Sequence, residues 1–384
     1  MPQGPLSGVT IVDMTRVLAG PYCTMVLSDL GARIIKVEQP GNGDEARGTG
    51  PFMGEVSGYF ASINRGKESI ALNLKDDNDR EVFRALLAGA DVLIENYRPG
   101  VMEKLGFGWD VLHADHPSLI YAAVSGFGQT GPYSRRPAYD MVVQAMGGVM
   151  SLTGHSGGEP TRVGTSIGDI TAALFAAIGI CSALYDRSQT GEGRMIDVAM
   201  LDCQVAVLEN AIARYSATGE IPGPLGARHP SIVPFDAFRT ANGHIVIAAG
   251  NHGLFVTLCE ALGCLDMAVD ERYLSNALRA QHVDTLGEEL EAVLTQYDTE
   301  HWLEVIQAAG VPCGAINNVA QVVADPQVQA RNMVVSTDDA DAGTIRLSGN
   351  PIKISGYEDP TTRGAVPRLD EHRDGLISEF RKLD

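Results

Sequence analysis

Short apolar runs rich in β-branched residues alternate with amphipathic segments over the first 125 residues of the chain. An apolar run of this length predicts a buried strand, and apolar positions three and four residues apart predict a helix. The pattern predicts strands and helices in alternation: strands at 9–12, 34–38, 70–74, 92–94 and 119–124, with helices at 22–30 and 76–90. Such alternation is typical of a parallel sheet covered on both faces, so we expect an α/β fold with a large Rossmann-like domain.

The pattern changes after residue 125. A nonpolar stretch predicts a long buried helix at 170–186, followed by a strand at 195–200 and a helix at 202–218. A passage rich in glycine and proline, residues 221–230, is the best linker candidate. Beyond it, a hairpin around Asn242-Gly243 and several helices predict a smaller α+β domain, with segments at 235–239, 244–248, 254–262, 276–297 and 299–309. The last part predicts strands at 333–336, 344–347 and 352–354, and a helix at 370–381.

Length and charge narrow the possible functions. The chain has 384 residues, which is long for a single core, so we expect two domains. The formal net charge is −19, which disfavours binding to a nucleic-acid backbone or to an anionic membrane. We therefore expect neither a nucleic-acid partner nor a membrane.

The cysteines and the first residues predict a location. Six cysteines occur without a CxxC pair, and the opening residues MPQGPLSG lack the basic segment and apolar run of a signal peptide. Both features favour the reducing cytoplasm.

Two common cofactor classes do not fit the motifs. A strand, loop, helix and strand at the start suggest dinucleotide binding, with Glu38 placed like a ribose-binding acid. The first loop, however, holds one glycine where that fingerprint needs three, so Glu38 is better explained as a strand-end acid. Histidines and cysteines do not cluster at the spacing of metal ligands, so we expect no metal site.

Asp169 stands at the start of the long nonpolar helix and has two explanations. An aspartate there can cap the helix, which on its own is the simpler interpretation. The same position also favours an ionised, nucleophilic carboxylate, because the amino end of a helix carries partial positive charge. Gly164 and Gly168 leave room for a bulky thioester, whose carbonyl carbon a carboxylate can attack.

Basic residues near the ends of predicted strands and loops form a second feature. In open α/β sheets, ligands bind in the crevice at the carboxyl ends of the strands. In so acidic a chain, a local basic patch there could hold the phosphates of an anionic ligand such as coenzyme A. The basic residues are Arg16, Arg47, Lys75, Arg98, Lys104, Arg135 and Arg136.

Seven segments together resemble the class III CoA-transferases, the family of formyl-CoA and carnitine CoA-transferases. They are TRVLAGPYC (15–23), GARIIKVEQPGNGD (31–44), NRGKESIALNLK (64–75), ENYRPGVMEKLGFGW (95–109), SGFGQTGPYSRRPAYD (125–140), GDITAALFAAIGICSALYDRSQTGEG (168–193) and ARNMVV (330–335). The passages TRVLAGP, GARHPSIVPFDAF and GNPIKISG are similar to the bacterial branch that moves CoA between acetyl-CoA and oxalate.

The resemblance implies a reaction and an assembly. It implies that Asp169 is the nucleophile, that CoA passes from acetyl-CoA or a similar donor to oxalate through an aspartyl anhydride and an aspartyl-CoA thioester, and that CoA thioesters are substrates with no permanently bound cofactor. It also implies an interlocked homodimer of ring-shaped chains. Residues 1–200 and 331–384 would then form the large CoA-binding domain, residues 226–330 the small one, and residues 201–225 the linker.

The resemblance also assigns site residues. The positions that match the CoA contacts are Arg16, Val17, Leu18, Ala19, Leu72, Lys75, Asn96, Tyr97, Arg98 and Lys104. The positions that match the active-site lining are Leu18, Tyr139, Asp140, Gly250 and Asn251. Formyl-CoA transferases have a glutamine at the position of Leu18 and a glutamate at that of Asp140, which makes formyl-CoA a less suitable donor here.

Three alternatives stay open from sequence. Another class III CoA-transferase could use formyl-CoA or succinyl-CoA, with a larger dicarboxylate or carnitine as acceptor, and Arg16, Arg47 or His229 could each meet a second carboxylate. An α-methylacyl-CoA racemase shares the family fold, but the segment Ala138-Tyr139-Asp140 lacks the histidine that such an enzyme uses as a base. The third alternative is a CoA-binding protein without catalysis.

Overall fold

The computed structural model describes residues 3–381 and divides the chain into two compact units. Of the described residues, the first unit comprises 3–150, 162–220 and 326–381, and the second comprises 151–161 and 221–325. Residues 201–220, which we expected within a linker, belong to the first unit and hold two helices.

The strands of the described chain fall into one large and three small sheets. They are β1 (Thr10–Asp13), β2 (Arg33–Glu38), β3 (Phe52–Met53), β4 (Val56–Ser57), β5 (Glu68–Ala71), β6 (Val92–Glu95), β7 (Ile120–Ser125), β8 (Met195–Ala199), β9 (Phe235–Arg239), β10 (His244–Ala248), β11 (Cys313–Ala315), β12 (Val334–Asp339) and β13 (Gly343–Ser348).

The helices surround these sheets. They are α1 (Ala19–Asp29), α2 (Gly58–Asn64), α3 (Asp77–Ala88), α4 (Val101–Leu105), α5 (Trp109–Asp115), α6 (Asp140–Met146), α7 (Val149–Leu152), α8 (Ile167–Thr190), α9 (Met200–Ala206), α10 (Ala211–Thr218), α11 (His252–Ala261), α12 (Leu265–Val269), α13 (Asn276–Gln281), α14 (Val283–Leu294), α15 (Thr299–Ala308), α16 (Val319–Ala324), α17 (Pro326–Ala330) and α18 (Arg373–Phe380).

A six-stranded parallel sheet forms the centre of the first unit, in the order β5-β2-β1-β6-β7-β8. All its strands except the edge strand β8 are almost fully buried, because helices cover both faces: α1 and α8 lie on one, while α3 and α18 lie on the other. The predicted α/β class and parallel sheet are therefore confirmed. Each predicted strand of this sheet agrees with an observed strand to within three residues at either end.

The long nonpolar helix α8 runs from Ile167 to Thr190 and is long and apolar enough, by length and composition, to cross a membrane. Core helices of globular proteins share these properties. Its alanine-rich face is buried against α1 and β7, which is the environment expected of a core helix. Small side chains on that face let α8 lie close to its neighbours.

The second unit contains the antiparallel sheet β11-β10-β9, with β9 and β10 joined as the predicted hairpin. Helices α11, α14 and α15 cover it, and their buried side chains form a separate core around Phe255, Leu290 and Ile306. The prediction of one helix at 276–297 is wrong, because the helix is interrupted at His282, which lies between α13 and α14.

Two other element predictions are also wrong. Residues 202–218 form two helices instead of one, with Glu209 in the left-handed region at φ +54° between them. Residues 352–354 form no strand, because Pro351 lacks a backbone donor and the side chain of Asn350 accepts the N–H of Ile352 at 2.9 Å. That side-chain bond competes with sheet pairing.

Candidate active site

A cleft lies at the carboxyl ends of β1, β6 and β7, in the first unit, with a cavity volume of about 160 Å³. Because parallel strands end at one edge of a sheet, the residues that follow them converge there. The lining comprises residues 16–19 after β1, residues 96–99 after β6, residues 124–126 at the end of β7, Glu45, Ser134, residues 136–139, Asp169 and Met200.

Most of the predicted site residues meet in this cleft. Arg16, Val17, Leu18 and Ala19 line it together with Asn96, Tyr97, Arg98, Tyr139 and Asp169. Leu72 and Lys75 line a neighbouring cavity of about 260 Å³, which shares Tyr97 with the cleft. Lys104 is exposed on α4 and lines neither cavity. The contacts of these residues with CoA stay predictions.

Asp169 is the third residue of α8 and does not cap it, contrary to the capping interpretation. The helix begins after Ser166, and its first turn places the Asp169 carboxylate in the cleft. Within residues 3–381, the structure shows no hydrogen bond to this carboxylate. An unpaired carboxylate on the rigid end of a helix is free to meet a ligand atom.

Asp140 holds the chain just before Asp169. One carboxylate oxygen of Asp140 accepts the backbone N–H of Gly168 at 2.8 Å, and the other accepts the side-chain amide of Gln144 at 2.8 Å. The amide oxygen of Gln144 in turn accepts the N–H of Val163 at 2.9 Å. Asp140 is buried, so this network fixes both the start of α8 and the segment that leads to it.

The nucleophile candidate is harder to ionise than the sequence suggested. Burial, followed by the nearby negative charge of Asp140, raises the pKa of Asp169 to about 7. The helix end was expected to favour the ionised form, but desolvation and a like charge outweigh it. A carboxylate that titrates near neutral pH is a stronger base and nucleophile than an ordinary aspartate, and such groups cluster at functional sites.

Tyr59 on α2 is a site candidate that the sequence reasoning missed. Burial and the negative charge of Asp169 together raise the pKa of Tyr59 to about 12, so its hydroxyl stays protonated. Tyr59 is not among the residues that line the described cleft, so it acts on Asp169 only through its surroundings. The motif search gave no signal for Tyr59, because it precedes the segment 64–75 and belongs to no charge cluster.

Arginines supply positive charge to the cleft. Arg16 forms an ion pair with Glu45 at 2.5 Å and lies 5.6 Å above the ring centroid of Tyr97. Arg136, one of the basic residues that the sequence suggested for phosphate binding, stacks 3.9 Å from the ring centroid of Tyr133. With Arg98, these residues place three guanidinium groups around the cleft of a strongly acidic protein.

Arg47 and His229 are occupied by other partners. Arg47 makes two hydrogen bonds of 2.7 Å to the carboxylate of Glu38, and its guanidinium packs 3.8 Å from the ring centroid of Phe60. His229, in the second unit, accepts the backbone N–H groups of Ser231 and Ile232 through Nδ1. Neither residue lines the cleft, so Arg16 is the best placed of the three groups considered for a second carboxylate.

Gly250 and Asn251 lie in the second unit, between β10 and α11. Asn251 caps α11, since its side-chain oxygen accepts the N–H of Leu254 at 2.9 Å. No neighbouring atom lies within 4 Å of the position that a Cβ would take on Gly250. A role for these two residues in lining the active site stays a prediction.

Comparisons with known proteins show the family of this chain and support its fold. The sequence model of CoA-transferase family III matches residues 6–373. Acetyl-CoA:oxalate CoA-transferase from Acetobacter aceti is 48% identical over 99% of this chain and 96% of its own length. Succinyl-CoA:mesaconate CoA-transferase from Haloarcula hispanica is 41% identical over 98% and 96%. The crystal structure of a CAIB/BAIF family protein from Brucella suis, 39% identical, superposes with a TM-score of 0.86 over 98% of this chain and 100% of that one.

Proposed function

Since this chain belongs to CoA-transferase family III, we propose that it moves CoA from acetyl-CoA to oxalate, with Asp169 as the covalent nucleophile. One observation carries the proposal: Asp169 presents an unpaired carboxylate of raised pKa to a cleft lined by Arg16, Arg98 and Arg136. The nucleophile and the cationic groups that would hold anionic substrates thus share one site.

The first half of the reaction removes the acyl group from CoA. A carboxylate oxygen of Asp169 attacks the thioester carbonyl carbon, the carbon–sulfur bond breaks, and CoA leaves as thiolate. Asp169 is then a mixed anhydride with the acyl group. The thiolate attacks the aspartyl carbonyl carbon, the donor's carboxylate leaves, and an aspartyl-CoA thioester remains.

The second half repeats these steps in reverse order. A carboxylate oxygen of the acceptor attacks the aspartyl thioester and displaces the thiolate, which gives a second mixed anhydride. The thiolate then attacks the acceptor's carbonyl carbon and releases Asp169 as a carboxylate. No net proton is gained or lost, so the site needs an ionised carboxylate and donors to the carbonyl oxygens.

The acceptor is argued from size and charge. The cleft, with a volume of about 160 Å³, has room for a two-carbon acid. Arg16 and Arg136 could each pair with the carboxylate of oxalate that does not react. The 48% identity with the Acetobacter aceti enzyme supports the same pair of substrates.

A larger dicarboxylate is the second candidate acceptor, supported by the 41% identity with the Haloarcula hispanica enzyme. A screen of oxalate and larger dicarboxylates with acetyl-CoA, succinyl-CoA and formyl-CoA separates the two. We expect the highest kcat/KM for acetyl-CoA with oxalate. If oxalate were inert with all three donors, the proposed acceptor would be wrong although the family assignment would stand.

Two other activities are less well supported. A racemase needs a base for the α-proton, and none of the residues that line the described cleft is a histidine. Deuterium uptake at the α-carbon of a branched acyl-CoA in heavy water would indicate racemisation, and we expect none. A binding protein without catalysis would keep its full function in an Asp169→Ala variant, whereas we expect transfer to be lost and CoA binding kept.

We further propose that the protein acts as a homodimer. Helices α6 and α8 pack together and expose large apolar side chains: Met141, Val142, Leu174, Phe175 and Ile178. Several large exposed apolar side chains on two packed helices are typical of an interface, and the net charge of −19 argues against an anionic membrane as its partner. Light scattering should give twice the chain mass, and Ile178→Asp should shift the mass towards the monomer. A wild-type monomer at micromolar concentration would contradict this.

A further inference from the structure

The turn between β1 and α1 holds a strained residue at the edge of the cleft. Val17 has φ +66°, in the left-handed region that glycine enters freely and β-branched residues avoid. The residues on either side, Arg16, Leu18 and Ala19, line the cleft that contains Asp169. Such strain persists only where the surrounding structure enforces it.

A buried ion pair, Lys36 and Asp44, holds the turn in this conformation. The Lys36 ammonium donates to the backbone oxygen of Thr15 at 2.8 Å, and the Asp44 carboxylate accepts the backbone N–H of Val17 at 3.0 Å. Lys36 and Asp44 pair with each other at 2.8 Å, and their side chains are 0% and 1% exposed. The pair therefore holds the turn by a carbonyl on one side and an N–H on the other.

The side chain of Asn96 fixes Arg16, the residue between Thr15 and Val17. Its side chain accepts the N–H of Arg16 at 3.0 Å and donates to the backbone oxygen of Arg16 at 2.8 Å. Three consecutive residues of the turn are thus fixed by three side chains from other parts of the chain. Asn96 also lines the cleft, whereas Lys36 and Asp44 do not. The pair can therefore influence the reaction through the turn, and Asp44 also accepts the backbone N–H of Ala46 at 2.9 Å, next to Glu45 in the cleft.

Both members of the pair are charged at neutral pH. Burial alone would lower the pKa of Lys36, but the negative charges of Asp13, Asp44 and Glu38 outweigh it and raise that pKa. Burial alone would raise the pKa of Asp44, but the charge and hydrogen bond of Lys36 outweigh it and lower that pKa. A buried pair is not in itself a gain in stability over apolar packing, so a role in placing the turn accounts better for its presence.

We propose that Lys36 and Asp44 are positioning residues, which hold Val17 in its left-handed conformation and so place Leu18 and Ala19 against the thioester in the cleft. The proposal rests on the proposed function only in taking this cleft as the site of CoA transfer. A displacement of about 1 Å in a group that orients a substrate can slow turnover by roughly 100-fold. The pair should therefore affect kcat without touching substrate.

A set of four variants tests this, with kcat, KM and melting temperature measured for each. We expect Asp44→Ala to lower kcat by about 10- to 100-fold per folded enzyme. Val17→Gly alone is the reference for the double variant, because Val17 itself lines the cleft and glycine adopts the same φ without strain. The double variant should recover kcat to within about fivefold of Val17→Gly, since the turn then no longer needs the carboxylate to enforce its conformation.

The fourth variant, Asp29→Ala, is the matched control. It breaks the buried Arg65–Asp29 pair at the other end of α1, where the two groups are 2.8 Å apart and the side chains are 1% and 6% exposed. We expect it to lower the melting temperature but leave kcat per folded enzyme unchanged. A purely structural role for Asp44 would give the same result in Asp44→Ala, or no recovery in the double variant, and either outcome would overturn the proposal.

Two further measurements cover the remaining outcomes. If Asp44→Ala fails to fold, Asp44→Asn is the substitute, because it keeps an oxygen for the N–H of Val17. We expect its kcat to stay within about fivefold of wild type. A loss of kcat in folded Asp44→Asn as large as that expected for Asp44→Ala would contradict the proposal. If wild type does not use oxalate, only the proposed acceptor fails. Titration calorimetry with CoA then replaces kcat, with about tenfold weaker binding expected in Asp44→Ala and recovery in the double variant.

Discussion

The carboxylate of Asp140 accepts the backbone N–H of Gly168 at 2.8 Å, one residue before the side chain of Asp169. The same bond that anchors the start of α8 also brings a second negative charge close to the candidate nucleophile. That charge and burial together raise the pKa of Asp169 to about 7. Anchoring and pKa control are therefore two effects of a single buried carboxylate.

The pH dependence of turnover should follow this pair. Asp169 must be ionised to attack, so we expect kcat/KM for the acyl-CoA donor to fall as pH drops below about 7. Asp140→Asn removes the like charge but can keep the hydrogen bond to Gly168. The acidic limb of the pH profile, in which kcat/KM falls, should therefore move by about one unit to lower pH. Steady-state rates between pH 5 and 9 measure this. Asp110→Asn, an exposed change on α5, is the control, and an unmoved limb in Asp140→Asn would contradict the assignment.

The stability of the protein should also report the raised pKa of Asp169. In the unfolded chain an aspartate has a pKa of about 3.9, well below about 7 in the folded protein. Because the folded protein binds this proton more tightly than the unfolded chain does, the proton adds to the free energy of unfolding. That contribution is fully present below pH 4 and is lost as pH rises through 7. Asp169→Asn removes that loss, so the variant should be more stable than wild type at pH 8 and equal to it near pH 4.

The full shift corresponds to about 4 kcal/mol, and because the side chain is only partly buried we expect about 1–2 kcal/mol at pH 8. Thermal or urea unfolding at several pH values measures this difference. If the difference in the free energy of unfolding between wild type and Asp169→Asn stayed constant from pH 4 to pH 8, the ionisation of Asp169 would not control that difference.

Residue 168 must be glycine because there is no room for a larger side chain. A Cβ there would lie 2.7 Å from Cγ2 of Val143, a buried core residue, and 3.0 Å from Oδ1 of Asp140. We expect Gly168→Ala to lower the free energy of unfolding by about 1–3 kcal/mol and turnover by more than about tenfold, because both Asp140 and the start of α8 must move. Gly164→Ala is the matched control, since no neighbouring atom lies within 4 Å of its Cβ position. Equal effects in the two variants would exclude this explanation.

The sequence predicted the parts of the site that follow from local pattern. Strands β1 and β6 are apolar runs, and the carboxyl ends of parallel strands share one edge, so Arg16 and Arg98 could be placed in one crevice from the pattern. Asn96 and Tyr97 were assigned by the family resemblance. Asp169 stood out because a charged residue opens a long nonpolar helix. The family resemblance added Tyr139 and Asp140.

Contacts between distant segments could not be predicted in this way. Tyr59 comes into the field of Asp169 through the packing of α2, and nothing in its local sequence indicates it. Arg47 looked available for an anion, yet it is bound to Glu38 by two hydrogen bonds. The pKa of Asp169 was predicted in the wrong direction, because its value depends on burial and on Asp140, which only the folded chain reveals.

The ion pair between Arg16 and Glu45 should limit the affinity for CoA. Both side chains are about half exposed, so the pair is weak, and Glu45 would compete with a ligand phosphate for Arg16. Glu45→Gln should tighten CoA binding by about threefold, whereas Arg16→Gln should weaken it by about tenfold or more, because a charged hydrogen bond is lost. Calorimetry with CoA measures both.

The control for these two variants is Arg346→Gln, an exposed change on β13. If Glu45→Gln weakened binding as much as Arg16→Gln, Glu45 would be contributing to the CoA site instead of competing for Arg16.

The most direct test of the account is a search for the covalent intermediate on Asp169. Enzyme mixed with acetyl-CoA alone is quenched in acid within milliseconds to seconds, digested, and analysed by mass spectrometry for the peptide that contains residues 163–187. We predict a CoA or acetyl adduct on Asp169 that disappears when oxalate is added and is absent from Asp169→Asn. An enzyme that turns over without any adduct on Asp169, and whose kinetics require donor and acceptor bound together, would contradict the central claim.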